Sequence, residues 1–193
     1  AVTVGKGGKF PAEADDPTWA SSQNNWVHGP DGEDSSFVLG DVTITAEGGG
    51  GGGGWDNQSR GYMKGRPGGC GGGATNNSKE PGIGTVVGAD GGKSYTDSPG
   101  GGGGASGEAG GDGKDNGPAG NGGAGFISKI TGKELDYGSG GGGGAGNRCT
   151  APGAAGGPGA GAGGAKSPTS ERGGYGLAGR GGGGGGGGYN PAC

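Results

Sequence analysis

The sequence predicts a mostly irregular and β fold: a bundle of extended threefold polyglycine II helices joined to short β-hairpins, with essentially no α-helix. Three observations lead there. Glycine supplies 66 of 193 residues and runs without interruption at 48–54, 100–104, 140–144 and 181–188. Only 25% of the residues are apolar, too few for an ordinary core in a chain of this length. No stretch has a 3.6-residue apolar period, whereas two stretches read as strands on either side of a turn.

The glycine runs come first because nothing else in the chain competes with them. A run without side chains is the most flexible linker a sequence encodes, so any order it has must come from its backbone hydrogen bonds. The extended threefold helix rises about 3.1 Å per residue and makes no internal hydrogen bonds, so its amides point sideways. Packed side by side, such helices donate to and accept from one another, provided no Cβ holds the backbones apart. The run 181–188 would then form a rod about 25 Å long and each five-residue run one of about 16 Å. The eight-residue run is expected to be the organising element. Shorter tracts with glycine at every third position, Gly107/Gly110/Gly113, Gly117/Gly120/Gly123 and Gly153/Gly156/Gly159, fit rods with small residues outward. Ordering glycine costs roughly 0.5–1 kcal/mol per residue more than ordering alanine. The bundle must therefore satisfy nearly all its backbone groups or gain support from neighbouring chains or crosslinks.

Taken in order, Ala1-Val2-Thr3-Val4 alternates, is β-branched and stops at Gly5, and so reads as a short strand. Residues 10–36 are polar and broken by Pro11, Pro17 and Pro30, and Asp31, Glu33 and Asp34 read there as a solvated acidic turn. Phe37-Val38-Leu39, a Gly40-Asp41 turn and Val42-Thr43-Ile44-Thr45 form the clearest hairpin, which leads into the first glycine run. The arrangement recurs as Phe126–Ile130, a turn at 131–133, and Glu134–Tyr137 before the run 140–144. These hairpins are expected to supply the apolar packing and to aim the rods. Segments 55–99 and 145–179 read as loops between rods. The whole of 1–193 is one glycine-rich domain, with a β-rich part at 1–47 and rods and polar loops over 48–193.

Composition narrows function. A net charge of −4 with scattered basic residues argues against nucleic acid, and no apolar run approaches a membrane span. Ala1 in place of a methionine fits removal of a targeting peptide. The three cysteines lack metal spacing. Cys70 with Cys149 is the expected disulfide, leaving Cys193 for a neighbouring subunit or as a free thiol. Gly110-Gly111-Asp112-Gly113-Lys114-Asp115 matches the core of a calcium-binding nonapeptide but lacks tandem copies, and the dinucleotide-like spacing Gly159/Gly161/Gly164 has neither the strand nor the helix it needs. His28 is the one histidine and sits in a polar stretch, so no catalytic residues, cofactor or metal are expected. Asn57 and Asn76 head glycosylation sequons. Trp55, Arg60, Tyr62 and Tyr189 flank glycine runs, with Met63 and Tyr175 beside them, and are candidates for a binding surface or for covers over rod ends.

Val2-Thr3-Val4-Gly5 followed by Gly7-Gly8, Ser35-Ser36-Phe37, Val42–Ala46 running into polyglycine, Ile130-Thr131-Gly132 with Tyr137, and Gly176-Leu177-Ala178-Gly179 before the longest run together resemble the glycine-rich domains of phage tail and bacterial surface proteins. The pattern is also similar in kind to the distal adhesins of T-even-type phage tail fibres and to springtail antifreeze proteins, which use polyglycine II bundles. The resemblance implies an extracellular, non-enzymatic protein. Three functions follow as expectations, in order: a structural subunit polymerising with itself, with Ala1–Val4 added to a neighbour's hairpin; a fibre-tip adhesin for a cell-surface glycan or protein; and an ice binder.

Overall fold

The structure is a computed structural model and describes residues 1–8, 29–54, 63–75, 78–85, 87–95, 100–115, 117–145, 153–163 and 173–186. Among these there is no helix, as a glycine-rich chain without helical periodicity requires. Strands β1 (Val2–Thr3), β2 (Ser35–Leu39) and β3 (Val42–Ala46) form one antiparallel sheet in that order. Strands β4 (Phe126–Ser128) and β5 (Leu135–Tyr137) form a second, two-stranded one.

Both hairpins turn where the sequence places them. Leu39 pairs with Val42 across Gly40-Asp41, and Gly40 has φ 60°, the left-handed conformation a two-residue hairpin loop demands. In the second hairpin Gly132 has φ 81°. Its strands are shorter than expected, because pairing stops at Ser128↔Leu135. The Lys129–Glu134 ion pair spans the turn, and the rings of Phe126 and Tyr137 stack at 5.9 Å. The first strand lies in the chain's own sheet, with Val2 opposite Phe37 and Thr3 opposite Ser36. The Ala1 ammonium donates to the Val38 carbonyl at 2.8 Å, and the Val38 amide donates back to Ala1 at 2.8 Å.

Most of the remaining described chain is irregular in form but densely bonded. Residues 100–105 show the pattern best. The amides of Gly100 and Gly103 donate to Gly144 and Gly141 at 3.1 and 2.8 Å, and those of Gly101 and Gly104 to Ala74 and Gly71 at 2.9 and 2.8 Å. Gly102 and Ala105 donate to Gly111 and Glu108 at 2.9 and 2.8 Å. Each third residue thus addresses the same neighbour, and successive residues address different ones. The same segment accepts from Gly120 and Gly123 on one side and from Gly92 and Ala89 on another. Residues 139–145 are served alike, bonding to 100–105, 120–123, 154–157, 161 and 183–186.

The centre of the molecule is built from what such contacts tolerate. Residues 141–145 are all buried, and among the described residues the buried apolar side chains are the alanines at 74, 105, 119, 145 and 154, with Ser94 and Ser139 as the buried polar ones. A Cβ on Gly143 would lie 2.0 Å from the Gly100 oxygen, and one on Gly102 would lie 1.9 Å from that of Asn121. Real Cβ atoms do not come so close, so glycine is obligatory there.

Three expectations change. The longest run is not the hub: in its described part, 181–186, Gly181, Gly183, Gly184 and Gly186 are exposed. It lies along the outside of 139–145 through Gly183 to Ser139 and Gly186 to Gly142, both at 2.9 Å. Within 55–99 and 145–179, the described stretches are not plain loops. Gly91 donates to Gly82, Gly82 to Gly72, Gly72 to Arg66 and Arg66 to Gly51, at 2.8 to 3.0 Å, in one lateral line through five segments. Finally, the first hairpin supplies no apolar packing to the interior. Phe37, Leu39, Val42 and Ile44 are all exposed, because the backbone-lined interior has no room for side chains of that size.

Candidate functional site

The lateral lines of hydrogen bonds end on carboxylates, and this accounts for the acidic cluster near the first hairpin. The line from Gly91 to Gly51 finishes where the Gly51 amide donates to Asp31 Oδ1 at 2.8 Å. A second line, Gly69 to Gly48, finishes on Asp34 Oδ1, also at 2.8 Å. Each line of aligned amides presents an N–H at this end, as a helix N-terminus does, and a carboxylate both accepts that bond and answers its partial positive charge. Asp31 also pairs with the Arg66 guanidinium, whose own amide donates to Gly51, so that one carboxylate ties three segments together. Glu33 Oε2 accepts from the Lys6 amide at 3.2 Å. The expected solvated acidic turn is therefore a set of structural acceptors, which composition alone did not reveal. The signal was present in the spacing: Asp31 and Asp34 are three residues apart, the repeat of the glycine segments.

Asp112, at a variable position of the calcium-like motif whose aspartate is Asp115, is engaged in the same way. Its Oδ1 accepts from the Lys93 amide at 2.7 Å, and the Tyr95 hydroxyl lies 3.5 Å from Oδ2. Tyr95 and Asp112 line a shallow open groove with Lys114, Asp115 and Asn121. The Lys79 ammonium sits 5.7 Å from the centre of the Tyr95 ring. Among the described residues no group of three or more His, Cys, Asp or Glu side chains could hold a metal ion.

Cys70 is a half-buried free thiol, and Cys149, the partner expected for it, lies outside the described residues. Cys70 stands at the start of a tightly packed segment, where its own carbonyl accepts from Gly50 at 2.8 Å. Burial pushes its thiol pKa up, against a smaller opposing effect of a backbone hydrogen bond from Ala89. The neutral thiol is thus favoured and a reactive thiolate disfavoured.

Of the other sequence candidates, Ala1, Val2, Thr3 and Val4 lie in or beside the first sheet, while Trp55, Asn57, Arg60, Tyr62, Asn76, Tyr189 and Cys193 fall outside the described residues. Tyr175 is described and almost fully exposed. The feature missed from sequence is the one-sided apolar face of the first sheet. Val2, Phe37 and Ile44 share a row of the register, Leu39 and Val42 another, and Val4 follows Val2 by the two-residue alternation of a strand. Alternation in 2–4, 37–39 and 42–45 is legible in the sequence, but alternation alone does not say whether the apolar side meets this chain's own interior.

No helix among the described residues is long and apolar enough to cross a membrane. No curated protein and no solved structure matches this chain. Residues 1–192 do match the sequence profile of a family described as a glycine-rich domain, and because the match runs over nearly the whole length, this chain belongs to the glycine-rich domain family.

Proposed function

We propose that the glycine-rich segments are polyglycine II helices packed side by side, and that the protein is a non-enzymatic, extracellular structural subunit of a self-assembling filament. The observation that carries this reading is the three-residue rule in the backbone bonds of 100–105, where residues i and i+3 serve one neighbour and i+1 and i+2 serve two others. A helix with three residues per turn and sideways amides produces that rule, whereas strands alternate with period two. Propagation is favoured by the same chemistry at the periphery. Gly49, Gly52 and Gly184 are less tightly enclosed, since an added Cβ there would meet its nearest neighbour at an ordinary contact distance of 3.7 to 3.9 Å. An outer segment of this kind can take up a glycine segment of another copy as it takes up its own neighbours.

Two measurements test it. Fibre diffraction from aligned material should give an axial spacing of about 3.1 Å, and its absence would rule out the threefold helix. Electron microscopy of the purified full chain should show filaments, and discrete particles at all concentrations would refute the polymer. Strand exchange through β1 is tested by deleting residues 1–4: filaments that persist unchanged eliminate that route.

A second reading, a fibre-tip adhesin for a cell-surface glycan, is favoured by the groove beside Tyr95, where an aromatic ring, a lysine and amide and carboxylate groups converge. Discrete particles that adsorb to bacterial cells would select it.

A further inference from the structure

We infer that the apolar face of the first sheet is a self-association surface, on which a second copy of this chain lays the same face to form a two-layered β-sandwich. The inference concerns the sheet alone and stands whether or not the glycine segments polymerise.

The register puts Val2, Val4, Phe37, Leu39, Val42 and Ile44 on one side of the sheet, with Ser35 and Ala46 completing it. Ser35 is committed, since its Oγ accepts from the Gly5 amide at 3.0 Å. The six apolar side chains remain between 44% and 79% exposed. The opposite side carries Thr3, Ser36, Val38, Thr43 and Thr45, so the alternation has the one-sided character of a sheet that covers something. Nothing among the described residues is covered by it. A sheet that is apolar on one face buries that face against another layer.

Three arguments make the second layer another copy. The first is area. The six side chains expose roughly 500–600 Å² of apolar surface, at the upper end of the largest patch a monomer ordinarily leaves. Two such faces together remove about 1,000–1,200 Å², the size at which a specific interface begins. The second is charge. Each copy carries a net charge of −4, yet no ionisable side chain stands among the paired strand residues of this face, so two copies meet there without opposed charges in contact. The third is shape. The patch contains β-branched residues and one ring on a pleated surface, which interdigitates with a like surface about 10 Å away, and an isologous pairing uses the same patch twice.

The experiment is sedimentation equilibrium of the full chain across micromolar concentrations, with two matched variants. Ile44→Glu places a charge at the centre of the face, and Thr43→Glu places the same charge on the opposite side of the same strand. The unmodified chain and T43E should dimerise, while I44E should raise the dimer dissociation constant roughly a hundredfold, because an unpaired carboxylate would be buried. A chain that is monomeric throughout, whether the face is open or covered by another part of the same chain, overturns the inference. So does equal behaviour of the two variants. Should I44E fail to fold, hydroxyl-radical labelling of Phe37, Leu39 and Ile44 in the unmodified chain decides the matter: labelling must fall as concentration rises through dimer formation, and constant labelling overturns it. Dimers without filaments would refute the polymer and leave this interface standing.

Discussion

Gly143 and Gly52 are the same residue inside the same kind of run, and they do opposite work. Gly143 is buried; its amide donates to Gly120 and its carbonyl accepts from Ala154, both at 2.9 Å, while the Gly100 oxygen fills the place of its missing side chain. Gly52 is exposed, accepts from Gly29 at 2.8 Å, and has 3.8 Å of clearance to the nearest atom a Cβ would meet. Glycine is thus required by the number of backbones around a position rather than by membership of a run. Among the described residues the usual order is inverted, with main chain and alanines buried and large apolar side chains such as Phe37, Leu39 and Ile44 exposed.

The comparison can be broken at its strong end first. Gly143→Ala should destabilise by about 3 kcal/mol or more, since the clash is with the backbone of a packed neighbour and cannot relax by a rotamer change. Calorimetric unfolding measures this, and a loss of under 1 kcal/mol would contradict the close backbone packing. The next effect belongs to the carboxylates that terminate the hydrogen-bonded lines. Asp31→Ala strands the buried Gly51 amide and should cost about 1–3 kcal/mol. Asp31→Asn keeps an acceptor oxygen and loses only the partly exposed pair with Arg66, at a cost of about 0–1 kcal/mol. Equal losses in the two variants would assign the effect to charge rather than to the hydrogen bond. At the weak end, Gly52→Ala should stabilise by about 0.4–1 kcal/mol, because it narrows the unfolded ensemble without a clash in the folded state. A large loss there would mean that another backbone packs against this side.

How far the sequence could be read varies with the element. The two hairpins were legible down to their turns, because Gly40 and Gly132 sit where a left-handed residue is needed between alternating strands. The lack of helix among the described residues followed from composition and missing periodicity. Spacing by threes around Gly110, Gly113, Gly120 and Gly123 was legible too, and Gly110, Gly113, Gly120 and Gly123 all donate across segments. The roles of Gly72, Gly82 and Gly91 were not, because isolated glycines among polar residues look like loops until their neighbours are known. Nor was the eight-residue run's peripheral place, since length says how far a segment extends and nothing of how many others surround it.

Residue order sufficed to say where backbones are able to approach closely, where the chain reverses, and that an oily interior is out of reach, because these depend on the presence or absence of Cβ atoms and on local φ. It took the assembled molecule to say which segment lies beside which, that Asp31 and Asp34 close the lateral lines, and that the hairpins turn their apolar side to the outside. Amides and carbonyls are identical from one residue to the next, so partner choice among glycine segments is written in the path of the connections and not in the chemistry of the partners.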